Sequence, residues 1–172
     1  VVCWIADTVY HHEGKYFGNA GKLISIDERD TGTYGTINRP TYAFDYVDGR
    51  VNTAIHQALL SDTSTYLFKE RLEAAQWCLD KGEGWYFPAK LEMLQVYENM
   101  DVINNTIDEA GGEKFHLDLL DPEDSAYWTS TEIPEDKKAY FIYMPLGNIT
   151  FSKGSFYESK HVRAMKWFNE TE

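Results

Sequence analysis

The side chains in this 172-residue chain that could hold an ion or a reactive group are few and mostly dispersed. His11, His12 and Glu13 form the densest cluster of metal-type ligands. Adjacent histidines on a strand point to opposite faces, so they would share one ion only on a loop. Asp118, Asp121, Glu123 and Asp124 could surround a hard divalent cation, but their spacing reads as a solvated acidic loop. Asp45-Tyr46-Val47-Asp48-Gly49 has part of a calcium loop, without the alternating ligands or the closing glutamate. His56, His116 and His161 are scattered and read as surface or interface residues rather than catalysts. Serines and aspartates flank His161, yet there is no Gly-x-Ser-x-Gly elbow and no activated nucleophile. Cys3 and Cys78 are the only cysteines, too few for a disulfide framework and without zinc spacing. The expectation is a non-enzyme with no metal and no cofactor.

Charge narrows the partners. With 16 basic and 28 acidic residues the net charge is −12, and no basic stripe offsets it. Such a surface repels phosphate backbones, which excludes nucleic acid and anionic membrane surfaces. No apolar run approaches the roughly 18 residues that span a bilayer, so the chain is not membrane-spanning. It opens on Val1-Val2-Cys3-Trp4-Ile5, as a processed or shortened chain would, so the lack of a leader says nothing about export. The 12 Tyr, 9 Phe and 5 Trp exceed what a minimal core needs. Large amphipathic rings suit binding surfaces, although Tyr and Phe are also good strand formers.

Val1 to Ala6 and Leu23, Ile24 and Ile26 read as strands, with Gly14, Gly18, Asn19 and Gly21 breaking the chain between them. Residues 31–49 show no period and read as a long ordered loop. Phe68, Leu72, Ala75 and Leu79 make one helical stripe, closed by Lys81 and Gly82. Met93, Val96, Met100, Ile103 and Ile107 make a second, stopped by Gly111-Gly112, with Glu92 as half of a capping box after Ala89. A shorter helix is expected over Val51 to Leu60. Tyr127 to Glu132, Ala139 to Met144, Ile149 to Lys153 and His161 to Phe168 then form a small antiparallel meander. These elements make one α+β domain over 1–172, with small antiparallel sheets, two main helices and the N- and C-terminal strands paired.

Several stretches carry a family resemblance when taken in order: Gly21-Lys22-Leu23-Ile24-Ser25-Ile26, Val47-Asp48-Gly49-Arg50-Val51-Asn52-Thr53, Ala74-Ala75-Gln76-Trp77-Cys78, Gly84-Trp85-Tyr86-Phe87-Pro88-Ala89, Tyr127-Trp128-Thr129-Ser130-Thr131-Glu132 and Val162-Arg163-Ala164. Through nearly its whole length the chain resembles the bacterial C-type-lectin-like domains that close collagen-like adhesins and other exported surface proteins. These are related in fold to the formylglycine-generating enzyme. The resemblance implies secretion or surface display with ligand binding. Neither Glu-Pro-Asn nor Gln-Pro-Asp followed by Trp-Asn-Asp occurs, which speaks against calcium-bridged sugar binding, and no cysteine lies beyond Cys78 to serve oxidase chemistry. Cys78 matches the helix cysteine of vertebrate-type members, which leaves open either a disulfide with Cys3 or two buried free thiols.

The resemblance also places Glu132 and Arg163 on neighbouring strands, where they would form a shielded structural ion pair. The variable ligand-binding surface of the fold corresponds here to Tyr140, Tyr143, Asn148, Phe156, Tyr157, Glu158 and His161. The function expected is non-catalytic recognition of a glycan or a host or cell-surface protein through residues 132–161, within a larger extracellular or cell-surface protein of fimbrial or adhesive type. The alternative is a structural subunit or stalk module. The sequons at Asn104, Asn148 and Asn169 read as chance.

Overall fold

Strand-forming alternation at both ends and a helical period between them produce an α+β architecture, seen in a computed structural model. The structure describes residues 1–5, 10–12, 15–17, 20–35, 40–62, 71–121, 124–151 and 158–169, with only the backbone of the residues up to 20 that follow Cys3. His11, His12 and Glu13 therefore lie outside the described side chains, and Phe68, Glu123, Phe156 and Tyr157 lie outside the described residues.

One sheet has the order β1 (Val2–Ile5), β4 (Ala20–Ile24), β11 (Met165–Asn169), β6 (Trp85–Tyr86), antiparallel throughout. The first and last strands share this sheet but are not neighbours, a correction to the expected pairing. β4 returns after the short hairpin of β2 (Tyr10–His12) and β3 (Lys15–Phe17) and takes the place beside β1, as elements close in sequence usually do. The second sheet has the order β5 (Arg29–Thr33), β10 (Ser159–Val162), β7 (Ala126–Ile133), β8 (Lys138–Tyr143), β9 (Asn148–Phe151), with β10 and β7 parallel. β5 falls partly in the stretch expected to be loop, because Arg-Asp-Thr-Gly-Thr carries no apolar alternation.

The run expected as one strand from His161 to Phe168 breaks at Arg163-Ala164. Its first half, β10, pairs with β5 in the second sheet, and its second half, β11, pairs with β4 in the first. The β4–β5 strand breaks opposite it. Ser25 N donates to Ala164 O at 2.9 Å, and Ala164 N donates to Ser25 Oγ at 3.2 Å. A single two-stranded ribbon thus passes from one sheet into the other.

Four helices pack on these sheets among the described residues. α1 (Gly49–Ser61) starts where the Asp48 carboxylate accepts from Arg50 N at 2.9 Å. α2 (Glu73–Asp80) carries Ala74, Ala75 and Cys78 inward. The stripe of Met93, Val96, Met100, Ile103 and Ile107 is buried as its spacing demands. It is shared between α3 (Lys90–Glu98) and α4 (Met100–Glu109), because the chain bends at Asn99 (φ −116°, ψ 19°). One cluster joins this stripe to Ile24, Phe115, Tyr127, Ile142 and Met165, and another joins α2 to Tyr34, Phe87, Trp128, Val162 and Ala164. Cys3 and Cys78 are both buried and unpaired, and burial raises both thiol pKa values, that of Cys3 to about 12. No described helix is long and apolar enough to cross a membrane.

Candidate functional site

The landmark Trp128-Thr129-Ser130-Thr131-Glu132 forms an irregular stretch of β7. Trp128 pairs with Phe141 and Glu132 with Ala139, so two more residues are spent on β7 than on β8 between these pairs. The polar side chains thus released are buried and reach across to other segments. Ser130 Oγ accepts from Asn52 Nδ2 of α1 at 2.9 Å, and Ser130 N donates to Pro88 O at 2.7 Å. Thr131 Oγ donates to Asp45 O at 2.8 Å and accepts from Lys90 N at 3.0 Å. Glu132 Oε2 accepts from Thr41 N at 2.8 Å, Tyr42 N at 2.7 Å and Thr41 Oγ at 3.0 Å. Burial outweighs these donors and pushes the Glu132 pKa up to about 7.

This belt fixes the segment 41–46, which alternates inward and outward without being a strand. Thr41 and Ala43 are buried, whereas Tyr42, Phe44 and Tyr46 are 61%, 59% and 45% exposed. Asn52 closes the segment from below, accepting from Asp45 N at 2.9 Å and donating to Asp45 O at 2.8 Å. Tyr42 is held at φ 64°, a left-handed conformation unusual for a bulky residue. The Tyr46 ring lies 5.9 Å from Tyr140, and Tyr140 lies 6.4 Å from Phe151 across the β8–β9 pair. Lys90 Nζ sits 4.1 Å above the Tyr140 ring and 5.0 Å from that of Tyr46. Tyr46, the half-buried Tyr140 and Phe151 thus form a run of rings with a cation set into it, and Tyr42 and Phe44 are exposed along the adjoining segment.

The expected binding residues do not all join this face. Tyr140 does. Tyr143, three positions along the same strand, points to the other side of the sheet, where its hydroxyl donates to Asp118 O at 3.1 Å. Asn148 is exposed at the start of β9, opposite Tyr143. Glu158 is half-buried and pairs with Lys160 at 3.3 Å. His161 is buried, 5% exposed, and takes no part in an outward platform.

His161 belongs instead to a charged cluster around Glu28. Glu28 Oε1 lies 3.2 Å from His161 Nδ1 and 3.0 Å from His116 Nε2. Glu28 Oε2 is 2.7 Å from the Arg163 guanidinium and accepts from the Tyr127 hydroxyl at 2.9 Å. Burial works against the Glu28 carboxylate, but His161, Arg163 and Tyr127 outweigh it and hold its pKa below the usual range. Burial likewise disfavours protonated His161, and the nearby Glu28 and then Asp124 outweigh that and raise its pKa. The partner expected for Arg163 is therefore corrected. It is Glu28, because β10 pairs with β5 and so carries Arg163 to the β4–β5 link, while Glu132 is occupied by backbone N–H groups at the far end of β7.

The chain matches no protein-family model, and no curated protein matches it. Sequence reasoning missed the segment 41–46 because its aromatics alternate inside a polar, aperiodic stretch. The alternation of Tyr42, Phe44 and Tyr46 was the available signal. Glu28 was missed because nothing local marks the end of β4 as a sheet crossing.

Proposed function

We propose that this chain is a non-catalytic binding module of C-type-lectin-like fold, carried by an exported bacterial surface or fimbrial protein and recognising a glycan or protein ligand. The observation that carries the reading is the run of rings Tyr46, Tyr140 and Phe151 beside the exposed Tyr42 and Phe44, on a segment fixed from beneath by a buried polar belt. Rings held rigidly at the surface lose little entropy on binding and can stack on sugar faces or fill pockets in a protein. The backbone of Tyr42 is held in a costly conformation at the centre of this segment, as is common where a loop is shaped for a ligand. Support for the fold reading comes from the α+β arrangement with both chain-end strands in one sheet. Relative to the sequence reading, the proposed surface keeps Tyr140 and moves away from His161 toward residues 42–46.

A glycan array and a pull-down from extracellular matrix test this, using the chain beside Tyr46→Ala and Tyr140→Ala variants. The variants should keep their melting temperatures and lose the captured ligand. Ligand capture that is indifferent to both substitutions refutes the assignment of this face.

A second reading, the structural or stalk module, is supported by a separate exposed apolar surface. Val102, Leu117 and Leu119 line a shallow cleft with Tyr97 and Pro145, and Val102 and Leu119 are 68% and 60% exposed. Association driven through that surface would appear as a dimer or larger species in size-exclusion chromatography, lost on Leu119→Glu.

A further inference from the structure

Folding brings together three metal-type ligands that are far apart in sequence and that the aromatic face does not use. Glu28 comes from the β4–β5 link, His116 from the segment after α4, and His161 from β10. One ligand atom from each lies within 4.8 Å of the other two. Glu28 Oε1 is 3.0 Å from His116 Nε2 and 3.2 Å from His161 Nδ1. Donors held about 2.1 Å from a common ion stand roughly 3.0–3.4 Å apart, so these two separations already suit shared ligation.

The outer atoms of all three side chains are tied down, which aims the inner ones. Asp124 Oδ2 is 2.7 Å from His116 Nδ1, and Asp124 Oδ1 is 3.4 Å from His161 Nε2. A carboxylate behind a ligating imidazole fixes its tautomer and raises its basicity. The second oxygen of Glu28 is held by Arg163 and Tyr127, leaving Oε1 turned toward the histidines. His161 Nδ1 is buried and lies 3.2 Å from Glu28 Oε1, poorly aligned for a hydrogen bond. Its place beside that carboxylate oxygen and the His116 nitrogen suits donation to a shared ion.

The two imidazole rings lie 4.6 Å apart at 31°, so sharing an ion requires them to open slightly. His116, whose side chain is 37% exposed, is the one nearer solvent.

We propose that Glu28, His116 and His161 bind a late first-row divalent cation, zinc foremost, with Asp124 orienting the histidines from behind. Two imidazoles with one carboxylate favour such ions over calcium or magnesium, which prefer oxygen alone. The site borders an open cleft, lined also by Asp30, Thr31, Asp121, Ser159 and Lys160, which would give the ion a path in. A bound ion would staple the segment after α4 to the sheet crossing.

The test is calorimetric titration of the chelator-treated chain with zinc, then with calcium. One zinc per chain should bind. His116→Ala should weaken that binding at least 100-fold, and Asp124→Asn by roughly 10–100-fold, as outer partners of metal-bound histidines generally do. His116 is exposed enough for the alanine variant to fold, which circular dichroism checks. Calcium should not compete. A second variant, His11→Ala with His12→Ala, should leave zinc binding unchanged. Absence of zinc binding, binding indifferent to His116→Ala, or binding abolished by the His11 and His12 substitutions would each overturn the proposal.

Discussion

The Arg163 guanidinium meets the Glu28 carboxylate at 2.7 Å where the β4–β5 and β10–β11 ribbon passes from one sheet to the other. Both side chains are buried, at 0% and 1% exposure. Arg163 also donates to Ser25 O at 3.2 Å and to Glu113 O, and its guanidinium lies 4.5 Å from the Phe115 ring centre. One charge therefore fixes both strands of the crossing and the segment after α4. Removing one member of a buried pair costs about 3–5 kcal/mol, and removing Arg163 would leave Glu28 only His161, His116 and Tyr127 as partners. Arg163→Met should destabilise by that amount in urea unfolding. In a double-mutant cycle, Arg163→Met and Glu28→Gln should be strongly non-additive, whereas Arg163→Met and Glu132→Gln should add within about 0.5 kcal/mol. The opposite pattern would restore Glu132 as the partner.

Glu132 should make stability depend on pH in a direction opposite to a salt-bridged carboxylate. Its folded pKa is pushed up to about 7 by burial, above its ordinary value of 4.5. Between those values the folded chain binds a proton that the unfolded chain has released. The contribution is thus fully present below about pH 4.5 and is lost as pH rises through 7. The difference is on the order of 3 kcal/mol, from the free energy of one pKa unit. Denaturation series from pH 4.5 to 8 should show this fall, and Glu132→Gln should flatten it. An unchanged slope in the variant would assign the effect to another group.

Much of the architecture was legible where local chemistry and burial agree. The stripe from Met93 to Ile107 could be read because apolar spacing reports burial directly, and the Gly111 stop because its φ of +71° suits glycine. The bend at Asn99 was not legible, since a stripe can continue across a break when both halves face the same core cluster. Tyr140 is half-buried, with its ring against Tyr46 and Phe151. The separation of Tyr140 from Tyr143 follows from strand alternation only once the strand is known to include both. Glu28, His116 and His161 were unreadable because three long-range pairings assemble them, and no local pattern records those.

Gly49 should tolerate no side chain. A Cβ there would meet Phe87 O at 2.3 Å, Ala89 N at 2.7 Å and Glu92 Oε2 at 2.7 Å. Those atoms belong to a rigid junction, because Glu92 Oε2 accepts from Gly49 N at 3.0 Å and Ala89 N at 2.8 Å. Its other oxygen accepts from Tyr86 Oη at 2.9 Å and lies 2.8 Å from Lys22 Nζ. Gly49→Ala should therefore cost at least about 2–3 kcal/mol, at the upper end of overpacking effects. Gly82→Ala meets no neighbour within 4 Å and should lose only the roughly 1 kcal/mol of its left-handed backbone at φ +107°. Thermal unfolding of the two variants distinguishes crowding from backbone strain, and equal losses would contradict the packing argument.

Tyr42 separates what the loop needs for stability from what it presents to a ligand. Its ring is 61% exposed and its φ is 64°, so the side chain adds little burial while the backbone carries strain. Its N–H, which any residue supplies, donates to Glu132 at 2.7 Å. Tyr42→Ala keeps the strain and loses the ring, whereas Tyr42→Gly relieves the strain and loses the same ring. Left-handed backbone costs an L-residue about 1–2 kcal/mol, partly offset by the greater unfolded-state freedom of glycine. Tyr42→Gly should be about 1 kcal/mol more stable than Tyr42→Ala in urea unfolding, with both variants equally impaired in ligand capture. If the glycine variant proves the less stable, the conformation of Tyr42 is unstrained and the loop is not held in shape at a cost.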